Sequence, residues 1–368
     1  IGRRQSRVRG LPESLGELPA AALAEEIDTE GEGQIRALFT LAGNPVVSTP
    51  NAGRLDAALA SLDLLVAIDF YVNETTRHAD VILPPTSPLE RDHYDIVFHI
   101  LAVRDTARWS PALFTPAPGA KHDWEIARDL GTALLRARGG GLKARWSRAT
   151  LETEARLRLS PRRQLDALLR SSGARLSVAK LEKTVAGADH GPLKPRLPER
   201  LFTPEKRIDL LPTVVAEALP TLLTALSAGP TLADGELLLI GRRHQRDNNS
   251  WLHNSTRLTR GRARHALMAH PDDLAARGIR GGDVVTVRSA VGEVRVEVEA
   301  TDDLMPGVVS LPHGYGHARD GVRLRNAVEV PGVSMNDLTD PSVVESVSGN
   351  AVLNGVPVTV APVTDGPA

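Results

Sequence analysis

The chain has 368 residues, enough for two or three domains, and its 44 basic and 45 acidic side chains nearly cancel. A net charge of −1 gives no electrostatic reason to expect a nucleic acid or an acidic membrane surface as a partner. Cysteine is absent, and no apolar run approaches the roughly 20 residues needed to span a bilayer. Thiolate chemistry is therefore excluded within the chain, and no membrane-spanning segment is expected.

The first informative segment is an apolar run that ends in a tight polar loop. Residues 35–41 are mostly apolar, and their short length predicts a strand buried on both faces. Gly43 follows directly and, without a Cβ, lets the backbone turn tightly and approach a ligand. Pro45 fixes its φ angle and stiffens the loop. Asn51 is then a good N-cap for a following helix with one apolar face.

A second strand repeats this pattern. Residues 64–68 are apolar and end at Asp69, and a further short strand is expected at 81–83. Polar loops at the carboxyl ends of parallel strands are where α/β proteins hold nucleotides. Because an acid at the end of the second strand can accept hydrogen bonds from a nucleotide, Asp69 is a candidate binding residue. There is no Gly-x-Gly-x-x-Gly sequence here, so a nicotinamide-type fingerprint is absent.

The second half of the chain predicts a compact β-barrel, because short strands alternate with glycine turns and one short helix. Pro271 suits the first position of that helix, and Gly278 suits its C-terminal end. The expected strands lie at 237–240, 284–289, 294–298 and 307–311.

The first half resembles the molybdopterin oxidoreductase family, which includes formate dehydrogenases, nitrate reductases and dimethyl sulfoxide reductase. Three features occur in the same order in those enzymes. They are the loop Gly43-Asn-Pro45, the strand that ends in Asp69, and the run Glu74-Thr-x-x-x-Ala-Asp-Val-x-Leu-Pro84.

The second half resembles the C-terminal dinucleotide-binding domain of the same family. The matching features are the Pro-x-Asp helix at Pro271, the Gly-x-x-x-Gly-Asp-x-Val turn that begins at Gly278, and the Asn-x-Leu-Thr segment at Asn336. His270 stands where the family often has an asparagine, and we expect it to weaken the helix cap.

The resemblance implies a mixed α/β fold. Part of a doubly wound parallel-sheet domain would be followed by a C-terminal six-stranded β-barrel of the double-psi type. The implied domains are a partial α/β domain at 1–140, a helical and irregular connecting region at 141–230, and a dinucleotide-binding barrel at 231–368.

The middle of the chain carries no functional prediction. Helices are expected at 151–159, at 164–171 and at 214–227, and Pro220 should kink or break the last of them. Residues 189–198 are expected to form an irregular connector. Glu90 matches a glutamate of the family, and we expect it to have a structural hydrogen-bonding role.

The family also implies a cofactor, in which two pterin–guanine dinucleotides hold molybdenum or tungsten. Arg242 suits a pyrophosphate, because a guanidinium forms bidentate charge-assisted hydrogen bonds. The residues implied for one dinucleotide are Gly43, Asn44, Pro45, Ser48, Asp69, Asn73 and Thr75. Those implied for the other are Gly241, Arg242, His244, Ser250, Trp251, His253, His313 and Asn336.

No metal ligand and no catalytic residue is assigned within the chain. His313 and His317 are four residues apart, but the glycines between them disfavour the helix that would direct both at one metal. A loop near the pterin is the preferred interpretation.

Family members usually begin with cysteines that bind an iron–sulfur cluster, and the residue that binds their metal lies upstream of the Gly-Asn-Pro loop. This chain has no cysteine and starts at Ile1, so we expect it to be the C-terminal part of a longer polypeptide. The expected partners are the rest of that polypeptide, a small-molecule substrate and an electron-transfer partner. A cytoplasmic location is expected, although an upstream export signal is compatible with the sequence.

The preferred function is part of a molybdenum or tungsten oxidoreductase similar to formate dehydrogenase. One alternative is a cofactor-free scaffold such as the large iron–sulfur subunit of respiratory complex I. Asn44, Asp69 and Arg242 disfavour it, because a scaffold does not need nucleotide-facing polar groups. A second alternative, an α/β hydrolase, lacks its Gly-x-Ser-x-Gly elbow.

Overall fold

The computed structural model describes residues 2–137, 159–229 and 231–363. The chain forms two compact units, one that combines Ile1–Ile82 with Leu210–Ala368 and one that spans Leu83–Asp209. Apart from its last position, the helix expected at 151–159 lies outside the described residues. The bounds of the three domains inferred from the sequence stay a prediction.

The elements alternate between helices and strands in the first part of the chain and are mostly strands in the last part. The described α-helices are α1 (Leu23–Asp28), α2 (Pro45–Ser48), α3 (Ala52–Ala60), α4 (Ile96–Leu101), α5 (Asp123–Ala137), α6 (Pro161–Ser171), α7 (Val178–Glu182), α8 (Thr213–Ala228) and α9 (Pro271–Ala275). The described strands are β1 (Ala37–Leu41), β2 (Leu64–Ile68), β3 (Val81–Ile82), β4 (Arg104–Ala107), β5 (Ala188–Pro192), β6 (Leu237–Arg242), β7 (Leu267–Ala269), β8 (Val284–Arg288), β9 (Glu293–Ala300), β10 (Val308–Pro312) and β11 (Val356–Pro362).

The predicted parallel sheet is present, with the order β1-β2-β3 and β2 in the centre. The prediction that the first strand is buried on both faces is wrong. Phe39 and Leu41 are 46% and 63% exposed, whereas Leu38 packs against the apolar cluster that includes Leu55 and Leu59. The strand lies at the sheet edge, and only one of its faces is covered by helices in this unit.

The loop after β1 is more helical than expected. Pro45 occupies the first position of α2, so the predicted stiff loop contains a helical turn. The N-cap prediction for Asn51 is confirmed, since its side chain accepts a hydrogen bond of 3.0 Å from the backbone N–H of Arg54. Leu55 and Leu59 are buried on the inner face of α3, as predicted.

The predicted six-stranded barrel is also present, and it is closed in the order β10-β6-β11-β8-β9-β7. Strand β6 is parallel to β10, with Leu239 opposite Val309. Alternate residues of β9 point into the barrel, as its exposed–buried pattern shows. Leu239, Leu267 and Leu311 are fully buried in the resulting core.

The structure corrects part of one helix prediction for this unit and a second in full. Of the kink or break expected at Pro220, the break does not occur, because helix α8 continues through the proline and its alanine- and leucine-rich flanks favour a helix. His270 caps α9, since its Nδ1 accepts a hydrogen bond of 3.2 Å from the N–H of Asp272. The imidazole thus takes over the role of the expected asparagine.

In the second unit, β4 and β5 pair antiparallel. The irregular connector expected at 189–198 is therefore partly wrong, because its first residues belong to β5. Arg104 and Asp189 pair across these strands at 2.8 Å, which offsets the weak strand propensity of the segment. The structural role of Glu90 is confirmed, since it forms a capping box with Ser87.

None of the helices in the described ranges is both long and apolar enough to cross a membrane.

The barrel core predicts a large cost for truncation. Leu311→Ala should lower the free energy of unfolding by about 2–5 kcal/mol, because a fully buried leucine leaves a cavity when it is shortened. Met305→Ala is the matched control, since Met305 is 70% exposed in the same unit and should change the value by less than about 0.5 kcal/mol. Chemical denaturation measures both, and equal losses would contradict the assignment of the core.

Candidate functional site

The loops that follow β1 and β2 are joined by side-chain hydrogen bonds. The hydroxyl of Thr75 donates to Oδ1 of Asn44 at 2.7 Å and accepts from the N–H of Val46 at 3.2 Å. The Nδ2 group of Asn44 donates to Glu74 at 2.5 Å. Thr75 and Glu74 are fully buried. The predicted residues Asn44 and Thr75 are therefore brought together, with a carboxylate beside them.

The strand-end acid Asp69 shapes its own loop. It accepts hydrogen bonds from the N–H groups of Phe70 and Tyr71 and, at 3.1 Å, from the side chain of Asn73. Asn73 in turn accepts from the N–H of Thr75 at 3.0 Å. Burial raises the pKa of Asp69, although these hydrogen bonds oppose the shift. Asp69 and Asn73 thus hold the loop that carries Thr75.

Three further predicted residues lie in the loop after β1. Gly43 does not have a positive φ angle; the left-handed residue is its neighbour Ala42, at φ 49°. A Cβ added at Gly43 would lie 3.8 Å from the carbonyl oxygen of Leu41, an ordinary van der Waals contact, so packing within the protein does not itself require a glycine here. Pro45 is half-buried at the start of α2. Ser48 is exposed, and its hydroxyl donates to the carbonyl of Asn44 at 3.0 Å.

A buried row of polar side chains connects the sheet loops to the barrel. Glu74 accepts a hydrogen bond of 2.8 Å from Nδ1 of His317, and Nε2 of His317 lies 2.9 Å from Nδ1 of His253. Nε2 of His253 lies 3.6 Å from the carboxylate of Asp247, which pairs with Arg264 at 2.9 Å. The side chains of Glu74 and His317 are 0% exposed. The row therefore crosses the interior between the two parts of the unit.

The electrostatics of this row follow from burial and hydrogen bonding. Burial alone would raise the pKa of Glu74, but the hydrogen bonds and the charge of His317 outweigh it and keep the pKa below its usual value. Burial and the neighbouring His317 lower the pKa of His253 from 6.5 to about 4. The ring of His253 also packs against that of Tyr315, with the ring planes 33° apart and the ring centroids 4.1 Å apart. At neutral pH the row thus contains a carboxylate and a neutral His253.

Arg242 is held differently from the expectation for a pyrophosphate ligand. Its guanidinium donates to the backbone carbonyls of Ser310, Arg264 and Ala266 at 2.6, 3.0 and 2.6 Å. Burial lowers its pKa. Its neighbour Arg243 is exposed and contacts the side chain of Asn249. Arg242 therefore fastens β6 to its neighbouring segments.

The long loop after Gly241 carries most of the residues predicted for the second dinucleotide. His244 and Trp251 are exposed and Ser250 is half-buried. Gly314 must be a glycine, because a Cβ there would lie 2.4 Å from the carbonyl oxygen of Asn249, and its φ is +92°. The 313–317 segment thus packs closely against this loop.

Two predicted barrel residues differ in burial. His313 is half-buried, and burial together with nearby Arg243 lowers its pKa. Asn336 is fully buried and donates to the backbone carbonyl of Val47 at 2.8 Å. Asn336 therefore connects the barrel to α2 through the protein interior.

Four residues of the buried row are not predicted from the sequence: Glu74, His317, Asp247 and Arg264. Glu74 enters the sequence analysis only as part of a motif, and His317 only as a neighbour of His313. The available signal for Glu74 was its place beside Thr75 in an otherwise polar run at the carboxyl end of a strand. Nothing local indicates its pairing with His317, since the two are 243 positions apart.

A second ionic cluster joins the same parts of the unit. Asp56 of α3 accepts from Arg77 at 2.6 Å, contacts Nε2 of His78 at 2.7 Å and lies 3.3 Å from Arg319. Its side chain is 16% exposed. Burial opposes ionisation of Asp56, but the hydrogen bonds from His78 and Arg77 outweigh it and lower its pKa. This cluster provides a comparison for the Glu74 row.

A parallel sheet with polar loops at its carboxyl ends, joined to a closed barrel, defines a mixed α/β–barrel protein. Two family models match these parts. The model for the molybdopterin oxidoreductase matches residues 3–133, and the model for the molydopterin dinucleotide binding domain matches residues 237–357. The chain belongs to the molybdopterin oxidoreductase family.

Curated relatives agree. The chain is 40% identical to the assimilatory nitrate reductase catalytic subunit of Bacillus subtilis (strain 168) over 126 residues, which are 33% of this chain and 17% of the relative. It is 24% identical to the F420-dependent formate dehydrogenase subunit alpha of Methanocaldococcus jannaschii over 312 residues, which are 83% of this chain and 42% of the relative. The chain thus spans less than half the length of these relatives.

A solved structure shares the fold. Acetylene hydratase from Pelobacter acetylenicus matches with a TM-score of 0.66 over 94% of this chain and 47% of that chain, at 18% identity. At this identity the match shows that the fold is shared.

The neutral state of His253 predicts a dependence of stability on pH. Between about pH 6.5 and 4 the unfolded chain takes up a proton at this residue that the folded chain does not, so stability falls as the pH falls. The expected loss is on the order of 3 kcal/mol. Glu74 adds to this loss as the pH falls into the usual glutamate range, because the unfolded chain then takes up a proton that the folded chain, with its lowered Glu74 pKa, does not. Thermal unfolding of wild type and His253→Gln between pH 7 and pH 4 measures the difference. Identical slopes in the two proteins would contradict the assignment.

Proposed function

We propose that this chain is the dinucleotide-binding part of a molybdenum or tungsten oxidoreductase that uses bis-molybdopterin guanine dinucleotide. The observation that carries the proposal is the joining of the two matched regions. Buried hydrogen bonds from Asn44 and His317 to Glu74 hold the sheet loops and the barrel against each other. A cofactor with two dinucleotide arms requires such paired binding loops.

The donor chemistry of the first loop fits one dinucleotide. A Cβ at Gly43 would meet no atom beyond its chain neighbours closer than 3.8 Å, so packing within the protein does not account for a glycine here, and Ser48 in the same loop is exposed. We propose that the backbone at Gly43 and the hydroxyl of Ser48 contact the nucleotide. Asn44, Pro45 and Thr75 would set the shape of this loop. Asp69 would use a remaining lone pair for the base or ribose, with Asn73 holding it.

The barrel loop fits the second dinucleotide. His244, Ser250 and Trp251 offer hydrogen-bonding groups and a stacking surface. Because the guanidinium of Arg242 donates to backbone carbonyls, we assign the phosphate contact to the exposed Arg243. Arg242 and Gly241 would instead fix the conformation of the chain where the loop begins. His313 would lie beside the pterin arm, and His253 and Asn336 would support it from the interior.

The cofactor supplies two-electron redox chemistry, and the protein binds it, orients it and sets its electrostatic environment. The formate dehydrogenase relative, which is similar over 83% of this chain, supports formate as the substrate class. We further propose an iron–sulfur cluster, ligated outside this cysteine-free chain, and an electron-transfer partner.

The function is tested at Asp69. In the holoenzyme, Asp69→Ala should lower molybdenum or tungsten retention by about 10-fold or more, since second-sphere changes cost metal sites about this much. The loss of metal should exceed the loss of stability, because Asp69 is half-buried and its three hydrogen bonds all lie within its own loop.

The matched control is Asp63→Ala. Asp63 precedes the same strand and forms a surface ion pair with Arg36, so retention should be unchanged. Metal analysis by mass spectrometry gives the result. Full occupancy in Asp69→Ala would overturn the assignment, and a wild-type enzyme that contains no metal or pterin would favour a cofactor-free scaffold.

A further inference from the structure

Glu74 contacts both parts of the proposed site while staying outside the residues assigned to the nucleotide. Its Oε2 accepts from Nδ2 of Asn44 at 2.5 Å, and its Oε1 accepts from Nδ1 of His317 at 2.8 Å. The side chain is fully buried. Both oxygens are therefore used within the protein.

The chemistry of the two contacts demands a carboxylate. A carboxylate accepts hydrogen bonds at both oxygens, whereas a carboxamide accepts at one side and donates at the other. With a carboxamide at position 74, its NH₂ group would point at the N–H group of either Asn44 or His317, and neither of these two donors could accept a hydrogen bond from it. A buried donor without an acceptor costs about 1–3 kcal/mol, so one of the two partners would have to change orientation or protonation.

This requirement fixes the orientation of Asn44. Its Oδ1 accepts from the hydroxyl of Thr75, and its Nδ2 donates to Glu74. Inverting the amide would place its oxygen against a carboxylate oxygen. The amide of Asn44, the residue next to Gly43, is thus held in one of its two possible orientations.

The same requirement fixes the proton on His317. Glu74 as an acceptor requires a proton on Nδ1 of His317. The other ring nitrogen lies 2.9 Å from Nδ1 of His253, and the His253 ring packs against Tyr315 of the 313–317 segment. The choice of protonated nitrogen on His317 therefore affects its contact with His253, which lies in the interior next to the segment that carries His313.

We propose that Glu74 is a positioning residue of the cofactor site, in which one carboxylate sets the amide orientation of Asn44 and the protonated nitrogen of His317 together. This inference rests on the proposed function. Glu74 touches neither nucleotide; it acts through the two loops that do.

The test compares two carboxylate-to-amide changes in the holoenzyme. Glu74→Gln keeps the size of the side chain but removes one acceptor. Asp56→Asn is the matched control, because Asp56 also joins α3 to other parts of the unit, through Arg77 in the loop after β2 and Arg319 after the 313–317 segment. Its hydrogen bonds do not involve Asn44 or His317. Metal retained after prolonged gel filtration is measured for both, at temperatures equally far below their own unfolding midpoints.

The proposal predicts that Glu74→Gln retains about 10-fold less metal than Asp56→Asn. A structural role alone would give the two variants equal retention, because the comparison is made at matched distance from unfolding. Equal retention, within about twofold, overturns the proposal.

The double variant Glu74→Gln/Asn44→Asp provides a second test. It exchanges the amide and the carboxylate between the two positions, so a carboxylate at 44 accepts from the new amide and from Thr75, while the amide oxygen accepts from His317. Its unfolding temperature should recover more than half of the loss caused by Glu74→Gln. No recovery overturns the hydrogen-bond assignment, and so does a double variant that fails to fold while Asp56→Asn folds.

The two tests separate this inference from the proposed function. A wild-type enzyme without molybdenum, tungsten or pterin refutes the function, and the thermal comparison of the single and double variants still judges the role of Glu74.

Discussion

A buried carboxylate between two loops is the constraint on which the arrangement of this protein depends. An ionised carboxylate is tolerated in the interior only when its acceptors are used. Glu74 meets this condition with donors from Asn44 on one side and His317 on the other. If the two loops moved apart, the carboxylate would become exposed to water or would lose a hydrogen-bond donor while still buried. Their relative position is therefore a consequence of electrostatics as much as of apolar packing.

Around this carboxylate the polar residues divide into two groups. Arg242, Asn73 and Asn336 donate or accept hydrogen bonds within the protein, and they shape loops. Exposed residues such as Ser48 and Trp251 keep surface for a ligand. A polar side chain in a family motif thus contributes either by contact or by support. Burial and hydrogen-bond partners distinguish the two contributions, whereas the motif alone does not.

The parts of the fold that depend on local pattern were predicted from the sequence. The buried strand 64–68, the cap at Asn51 and the barrel strands follow from apolar runs, short polar side chains and glycine turns. The exposed face of β1 was not predicted, because exposure depends on which elements cover a strand. The pairing of Glu74 with His317 was not predicted either, because it depends on tertiary structure: the two residues are 243 positions apart in the sequence.

The central claim is that one dinucleotide binds at the loop that contains Gly43 and the other at the loop after Gly241. A structure of the holoenzyme with its cofactor tests this most directly. The account predicts that one nucleotide lies over Gly43 and Asp69, and the other against Arg243 and Trp251. Density for both dinucleotides elsewhere in the enzyme, with these two loops in contact only with solvent, would contradict it.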